Sequence, residues 1–183
     1  MIPKTLRQSP VVITPNRNLT GRPRIARDTI ADIHNAIQKW NNYHIAGIEI
    51  TIEIISIISG SPPNELMENL TFDLNKLVNN CAELVKDMEL FYERISALAE
   101  NQEGEVLLMS MSSREMKQSF RYIYEAYEKE LKKKKWVLEN IAFSTSESQA
   151  VLFGCTWKYQ LEIDYEVDRI LQDLLRDSGH KMI

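Results

Sequence analysis

The chain has 183 residues, of which 44% are hydrophobic and 26% charged, with a formal net charge of −4 at pH 7. This composition is typical of a globular protein and excludes a collagen-like or low-complexity chain. Six of the 22 positive side chains precede the first acidic residue, Asp28, so the rest of the chain carries 16 positive and 26 negative side chains. An acidic body argues against nucleic acid as the main ligand, because phosphate binding needs clustered Lys and Arg.

The two cysteines, Cys81 and Cys155, lie far apart in a sequence without a CxxC motif or histidines at metal-ligand spacing. We therefore expect no metal, no cofactor and no disulfide framework, and a reducing compartment. The N-terminus has no signal-peptide pattern. The longest apolar run, Ile45–Ile58, is broken by Glu49 and Glu53, so we expect no membrane span.

Residues 1–27 form a basic, proline-containing tail with little apolar periodicity. Such a segment buries too little apolar surface to offset its conformational entropy, so it is predicted to be disordered. Thr14 is followed by proline, with Arg17 at the third position after it, which is the pattern that cyclin-dependent kinases prefer. Ser9 is also followed by proline. Thr14 and Ser9 are the predicted regulatory phosphorylation sites.

A first helix is predicted over residues 28–58, where apolar, small or amphipathic residues recur in steps of three and four. This stripe consists of Ile30, Ile33, Ile37, Trp40, His44, Gly47, Thr51, Ile55 and Ile58. Residues 48–54 also alternate between isoleucine and polar residues, which is the period of a strand. Residues 45–58 therefore stay open between helix and strand, with helix preferred.

A second helix is predicted over residues 62–101, with Ser61 as its N-cap and two prolines in its first turn. Its apolar residues follow an unbroken heptad pattern, which indicates that this face packs against partner helices. They are Leu66, Leu70, Leu74, Leu77, Cys81, Leu84, Met88, Phe91, Ile95 and Leu98.

The third and fourth helices are predicted over residues 112–142 and 147–178. Ser112 and Glu115 form a possible capping box at the start of the third helix, and Ser146 with Gln149 is a possible cap for the fourth. Gly179 is well placed to end the fourth helix.

These elements predict an all-α fold, an elongated helical bundle of coiled-coil-like hairpins with a disordered N-terminal tail. The predicted domains are the tail, 1–27, and a helical domain, 28–183. The apolar stripes are narrow, two or three positions per heptad, so an open stripe would need another protein to cover it.

Motifs for catalysis are absent from the sequence, and the chain is predicted not to be an enzyme. His34, His44 and His180 match no metal-binding spacing, and no GxSxG or GxxxxGK motif occurs. Asp32, His34 and Asn35 stand close together on the first helix. We interpret them as a solvated turn or as hydrogen-bonding groups at an interface.

Lys132–Lys135 is the strongest basic run and suggests either nucleic-acid binding or a nuclear address. Glu128 and Glu130 stand four residues before Lys132 and Lys134, the favourable orientation for salt bridges along a helix. A solvated helix face is therefore the preferred interpretation.

The three tryptophans, Trp40, Trp136 and Trp157, fall within or beside the predicted stripes. Tryptophan at helical spacing is usually part of a core, but it is also enriched at interface hot spots. The sequence leaves both roles open.

Two stretches carry a family resemblance. In the first, roughly residues 28–58, the matching residues are Ala31, Asp32, His34, Asn35, Lys39, Trp40, Ala46 and Gly47. In the second, roughly residues 120–183, they are Tyr127, Lys129, Glu130, Leu131, Lys134, Val137, Ala142, Trp157, Gln160, Leu174, Leu175, Gly179, His180 and Lys181. In their order and spacing they resemble the cyclin-dependent kinase 2-interacting protein family. The chain departs from the family pattern at Ile33, where the family has tryptophan, and at Lys132 and Lys133, which replace aliphatic residues.

The resemblance implies a non-catalytic adaptor with a helical fold. Its implied partners are cyclin-dependent kinase 2 and cyclins, the Cdc7 kinase, ATR-interacting protein, and AAA ATPases of the spermatogenesis-associated protein 5 type together with a helical companion subunit. It also implies roles in the cell cycle, DNA replication, the DNA damage checkpoint, chromatin-linked proteostasis and ribosome biogenesis. The implied location is the nucleus, with the cytoplasm as a second location.

We expect partner binding by helix-in-groove recognition, with aromatic anchors such as Trp40 and Trp157 supplying affinity. The residues predicted to bind partners are Asp32, His34, Asn35, Lys39, Trp40, Leu77, Leu84, Tyr127, Trp157 and His180. Two alternatives stay open: a self-contained homodimeric helical structural protein, and a nucleic-acid-binding module that uses the basic tail and Lys132–Lys135. Neither direct nucleic-acid binding nor membrane binding is expected for the adaptor.

Overall fold

A computed structural model describes residues 11–12, 19–60, 64–100 and 104–181. It confirms the all-α prediction. The helices are α1 (Gly21–Gly60), α2 (Asn64–Ala99), α3 (Ser113–Asn140), α4 (Glu147–Tyr159) and α5 (Tyr165–Asp177), with a 3-10 turn at Ile141–Phe143. Two short strands, β1 (Val11–Val12) and β2 (His180–Lys181), pair antiparallel, with Val11 opposite Lys181.

Helix α1 begins at Gly21, so the prediction of a disordered tail through residue 27 is wrong for 21–27. Tertiary contacts outweigh the weak periodicity of this segment. Ala26 is fully buried, and Arg22 donates hydrogen bonds to the Glu105 carboxylate, at 2.6 Å, and to the Leu98 carbonyl. The predicted phosphorylation sites Thr14 and Ser9 lie outside the described residues.

Residues 45–58 are helical, which confirms the preferred interpretation over the strand. Positions 54 and 57, rather than the predicted 55 and 58, carry the isoleucines that are buried at the end of α1. A helix has 3.6 residues per turn, so a buried row follows steps of three and four only on average. In a run of isoleucines, two neighbouring rows fit these steps, and the prediction chose the wrong one at this end of the helix.

The predicted helix starts are confirmed at α3 and α4. The Ser112 amide donates to the Glu115 carboxylate at 2.8 Å, and the Glu115 amide donates to the Ser112 hydroxyl at 3.3 Å, which completes a capping box. The Gln149 amide donates to the Ser146 hydroxyl at 3.3 Å. The predicted N-cap of the second helix, Ser61, lies outside the described residues.

The single fourth helix predicted over 147–178 is wrong, because the chain breaks into α4 and α5 at Gln160. This residue has a φ of 43°, in the left-handed region that ends helices. Apolar residues recur at helical spacing on both sides of the break, so periodicity did not reveal it. Gly179, with a φ of 73°, lies two residues after α5, as predicted.

The described residues divide into two compact units, and each takes part of all three long helices. Unit 1 lies within 1–39, 86–126 and 165–183, and its largest buried residues include Ile30, Ile33, Met88, Ile95, Met116 and Phe120. Unit 2 lies within 40–85 and 127–164, and its largest buried residues include Trp40, Ile54, Leu74, Tyr127, Lys134 and Trp157.

Helix α1 is, among the described helices, the one long and apolar enough to cross a membrane by length and composition. Only 28% of its most apolar 18-residue window is buried. The helix nevertheless contributes Ile33 to the core of unit 1 and Ile54 to the core of unit 2, and core helices meet the same criteria.

Candidate functional site

The core of unit 2 is built around a fully buried lysine, Lys134 on α3. Its Nζ lies 3.2 Å from His44 Nδ1 on α1 and 4.0 Å from the centre of the Trp157 ring on α4. The centre of the Trp40 ring on α1 lies 5.6 Å from the same Nζ atom. An ammonium group has donors and no acceptor, so His44 Nδ1 accepts the hydrogen bond while Lys134 is charged. We call Lys134, His44, Trp40 and Trp157 the Lys134 cluster.

Both tryptophans of the cluster are held by hydrogen bonds from their indole nitrogens. Trp40 Nε1 donates to Gln160 Oε1 at 2.7 Å, and Trp157 Nε1 donates to the His44 carbonyl at 3.1 Å. The edge of Tyr127 packs against the Trp40 ring, with 5.0 Å between ring centres. Buried indole N–H groups need such partners, so these bonds fix the orientation of both rings.

Burial shifts the pKa values of the ionisable groups in this cluster. It lowers the pKa of Lys134 to about 8, although electrostatic interactions with Glu130 and Cys81 act in the opposite direction. Burial, followed by the charge of Lys134, lowers the pKa of His44 to about 3. Burial also raises the pKa of the Cys81 thiol to about 12. At neutral pH the cluster therefore holds a charged lysine beside a neutral histidine, and Cys81 outside the cluster is a neutral thiol.

Two glycines permit close packing of α4 on α1 in unit 2. A Cβ atom at Gly47 would lie 2.1 Å from Cζ2 of Trp157, and one at Gly154 would lie 2.6 Å from Cδ1 of Ile55. Any larger residue would collide with these side chains. Gly47 lies in the first of the two stretches that carry the family resemblance, and Trp157 lies in the second. The small size of Gly47 makes room for the Trp157 ring.

Three residues predicted to bind partners, Trp40, Tyr127 and Trp157, lie in this core, each with at most 2% of its surface exposed. The core role that the sequence left open therefore applies to both tryptophans, and we do not propose them as partner contacts. The roles of Lys134 and Gln160 were not predicted from the sequence. The available signal was the position of Lys134, which continues the apolar row of Tyr127 and Leu131 at helical spacing and so indicates burial.

The run Lys132–Lys135 is not a uniform solvated face. Lys132 pairs with Glu128 at 3.1 Å as predicted, but Lys134 is buried and makes no exposed salt bridge, so that part of the prediction is wrong. Lys133 pairs with Glu162 at 2.7 Å. With one lysine buried and two paired, the exposed Lys135 is left as the main positive charge of this run for phosphate groups.

The polar residues predicted on α1 separate in unit 1. Asp32, Asn35 and Lys39 are exposed, and Asp32 forms an ion pair with Arg94, with 3.2 Å between Oδ2 and Nη1. His34 is buried and lies near His180. His180 is also buried, with its Nδ1 2.6 Å from the hydroxyl of Ser178. The structure thus brings the two histidines into the core and leaves the other three residues at the surface.

The α2 residues predicted to contact partners differ in exposure. Leu77 is half-buried, whereas Leu84 is buried in the core of unit 2 with 6% of its surface exposed. A charge at position 84 would disrupt the fold rather than test an interface. Val78 and Val85, which the heptad pattern omitted, are buried beside them.

A second apolar row on α1 lies beside the buried one. Ile45, Ile48, Ile52 and Ile55 recur in steps of three, four and three, each one residue after a position of the core row His44, Gly47, Thr51 and Ile54. Ile52 is 59% exposed, and the other three are half-buried. We call these four residues the isoleucine seam. It is the best candidate for a binding surface in unit 2, because apolar rows at this spacing normally pack against another helix.

The chain is similar to a curated protein, cyclin-dependent kinase 2-interacting protein of Xenopus laevis. The two are 22% identical, and the alignment covers 96% of this chain and 99% of the relative. No family model matches the chain. The alignment supports a protein-binding role for this chain.

Proposed function

We propose that this chain is a non-catalytic adaptor that binds other proteins through its helices. The observation that carries the proposal is the similarity to cyclin-dependent kinase 2-interacting protein over nearly the full length of both chains. The alignment covers both chains almost from end to end, rather than a short motif, and the name of the relative describes an interaction.

The surface of the chain supports this proposal. The isoleucine seam leaves Ile52 exposed on a helix whose most apolar window is only 28% buried. Partly exposed apolar rows at helical spacing are typical of surfaces that bind an amphipathic helix. Recognition by helix-in-groove packing needs no catalytic group, which agrees with the absence of catalytic motifs from the sequence.

The proposed partners are those that the family resemblance implies. They are cyclin-dependent kinase 2 with cyclins, the Cdc7 kinase, ATR-interacting protein, and AAA ATPases of the spermatogenesis-associated protein 5 type with a helical companion subunit. We propose a nuclear location and roles in replication, the checkpoint and ribosome biogenesis. Phosphorylation at Thr14 and Ser9 would regulate binding by changing the charge of the basic tail.

A tagged pull-down of the full chain from nuclear extract at moderate salt, with quantitative mass spectrometry, tests the proposal. We expect cyclin-dependent kinase 2 or an AAA ATPase to be enriched over a tag-only control. A matched variant, Gly47→Ala, disturbs the core of unit 2 and is expected to reduce this recovery. Recovery of the chain alone, at the level of the control, would contradict an adaptor function.

A further inference from the structure

The isoleucine seam has the spacing of a coiled-coil face. Its residues occupy the a, d, a and d positions of successive heptads, and consecutive helical residues are separated by about 100° around the axis. The seam is therefore rotated by about that angle from the core row of α1. It forms a second apolar edge on the same helix, in addition to the one that packs within unit 2.

Helix α4 borders the seam on one side. Ile55 lies against Gly154, where a Cβ atom would be only 2.6 Å from Ile55 Cδ1. Val151 precedes Gly154 by one helical turn and is 41% exposed, so an apolar side chain of α4 continues this border. Ile52 is the most exposed residue of the seam, with 59% of its surface exposed.

The side of the seam away from α4 is acidic. Glu49 and Glu53 are the only Asp, Glu, Lys or Arg residues of α1 after Lys39, and both are exposed. Neither carboxylate forms an ion pair with another residue in the described part of the chain. Glu49 occupies the e position of the heptad, where charged residues select the partner of a coiled-coil face. The seam therefore presents unpaired negative charge to whatever covers it.

We propose that the isoleucine seam binds an amphipathic helix of another protein, with apolar residues at a and d spacing and Lys or Arg opposite Glu49. This inference rests on the proposed function and names the chemistry of the partner. A second copy of this chain is disfavoured as the occupant, because antiparallel pairing of two α1 seams places e positions against each other and brings acidic residues together.

Site-specific photocrosslinking in cells tests this inference. The change Ile52→p-benzoylphenylalanine places the crosslinker on the seam, and Phe72→p-benzoylphenylalanine places it on α2, at a side chain of unit 2 with a similar exposure of 58%. We expect position 52 to crosslink to a helical segment of another protein that carries Lys or Arg beside its apolar row. Crosslinks to a second copy of this chain, to lipid, or equally from position 72 would overturn the inference.

Exposed charge variants give a second readout on the full chain. Ile52→Glu is expected to weaken the captured complex at least about tenfold, because a charge would be buried against the partner helix. Phe72→Glu is expected to leave the affinity unchanged. If wild type and Ile52→Glu capture the same partner with equal affinity, the adaptor function stands and the location of its interface is wrong. If wild type captures no partner, the proposed function itself fails.

Discussion

At the scale of single residues, Gly47 has the most constrained position in unit 2. Replacing it with alanine places a Cβ atom 2.1 Å from Cζ2 of Trp157, an indole that is buried and hydrogen-bonded. Overpacking a core costs about 1–3 kcal/mol, which offsets the gain of about 1 kcal/mol from replacing a helical glycine. We expect Gly47→Ala to lower the free energy of unfolding in urea.

The matched control for this prediction is Gly60→Ala at the end of α1. Apart from its chain neighbours and the nearby backbone of α1, no atom of the described residues lies within 4 Å of a Cβ built at Gly60, so this variant gains helix propensity without a collision. It is expected to be as stable as wild type or slightly more stable. Equal unfolding midpoints for the two alanine variants would show that Trp157 moves freely, contrary to the packing described here.

Lys134 predicts an unusual dependence of stability on pH. Its pKa is about 8 in the folded chain and 10.5 in the unfolded chain, so between these values the unfolded state binds more protons. Stability from this group therefore rises with pH, by about 1 kcal/mol per unit above pH 8. Below pH 8 both states are protonated, and the contribution is constant.

The measurement is the free energy of unfolding at several values between pH 7 and 9.5, for wild type and Lys134→Met. Above pH 8, we expect the free energy of unfolding of wild type to rise relative to that of Lys134→Met. The variant serves as the reference because other groups, including Cys81, also titrate in the alkaline range. Parallel pH profiles would mean that Lys134 keeps its ordinary pKa and is hydrated.

At the scale of elements, the break between α4 and α5 depends on Gln160. This residue has a φ of 43°, and its Oε1 accepts a hydrogen bond from Trp40 Nε1. Gln160→Ala keeps the unfavourable backbone and leaves a buried indole N–H without its partner, at a cost of about 1–3 kcal/mol. Gln160→Gly also loses the bond but relieves the left-handed conformation by about 1–2 kcal/mol.

We therefore expect Gln160→Ala to be less stable than wild type, and Gln160→Gly to be more stable than Gln160→Ala by about 1–2 kcal/mol. Chemical unfolding followed by tryptophan fluorescence measures these differences, since Trp40 reports on the lost hydrogen bond. An alanine variant at least as stable as the glycine variant would indicate that the helix break does not depend on the left-handed conformation at this position.

The sequence predicted much of the helical fold, and its failures have local physical causes. The capping box at Ser112 was found because a short-range side-chain pattern determines it. The break at Gln160 was not, because it depends on Trp40, 120 residues away in the chain. The burial of Lys134 was missed for the same reason. A lysine with lysines on both sides in a helix is predicted to be exposed to solvent, because the sequence does not show which aromatic rings cover it.

The candidate binding surface was only partly predictable. The sequence indicated that apolar stripes would need partners, but it assigned affinity to Trp40 and Trp157, which lie in the core. The isoleucine seam follows the same spacing one residue later than the core row of α1. In a segment this rich in isoleucine, the pattern alone does not tell which row packs inside the chain and which remains exposed.

At the scale of the whole molecule, we expect this chain to work within larger assemblies. Its largest apolar side chains are buried within each unit, while exposed apolar side chains such as Ile52 gain from burial against another protein. Neutralising the acidic flank with Glu49→Gln is expected to weaken partner binding and to reduce its dependence on ionic strength. Affinity measured at several salt concentrations checks this, with Glu147→Gln on α4 as the control.

The most direct test of an adaptor function is the native size of the chain in cell extract, compared with the purified chain alone, by size-exclusion chromatography with immunodetection. We predict that the chain in extract elutes with a much larger assembly, and that Ile52→Glu shifts it toward the size of the purified protein whereas Phe72→Glu does not. Elution of wild type in extract at the size of the purified chain would contradict the account.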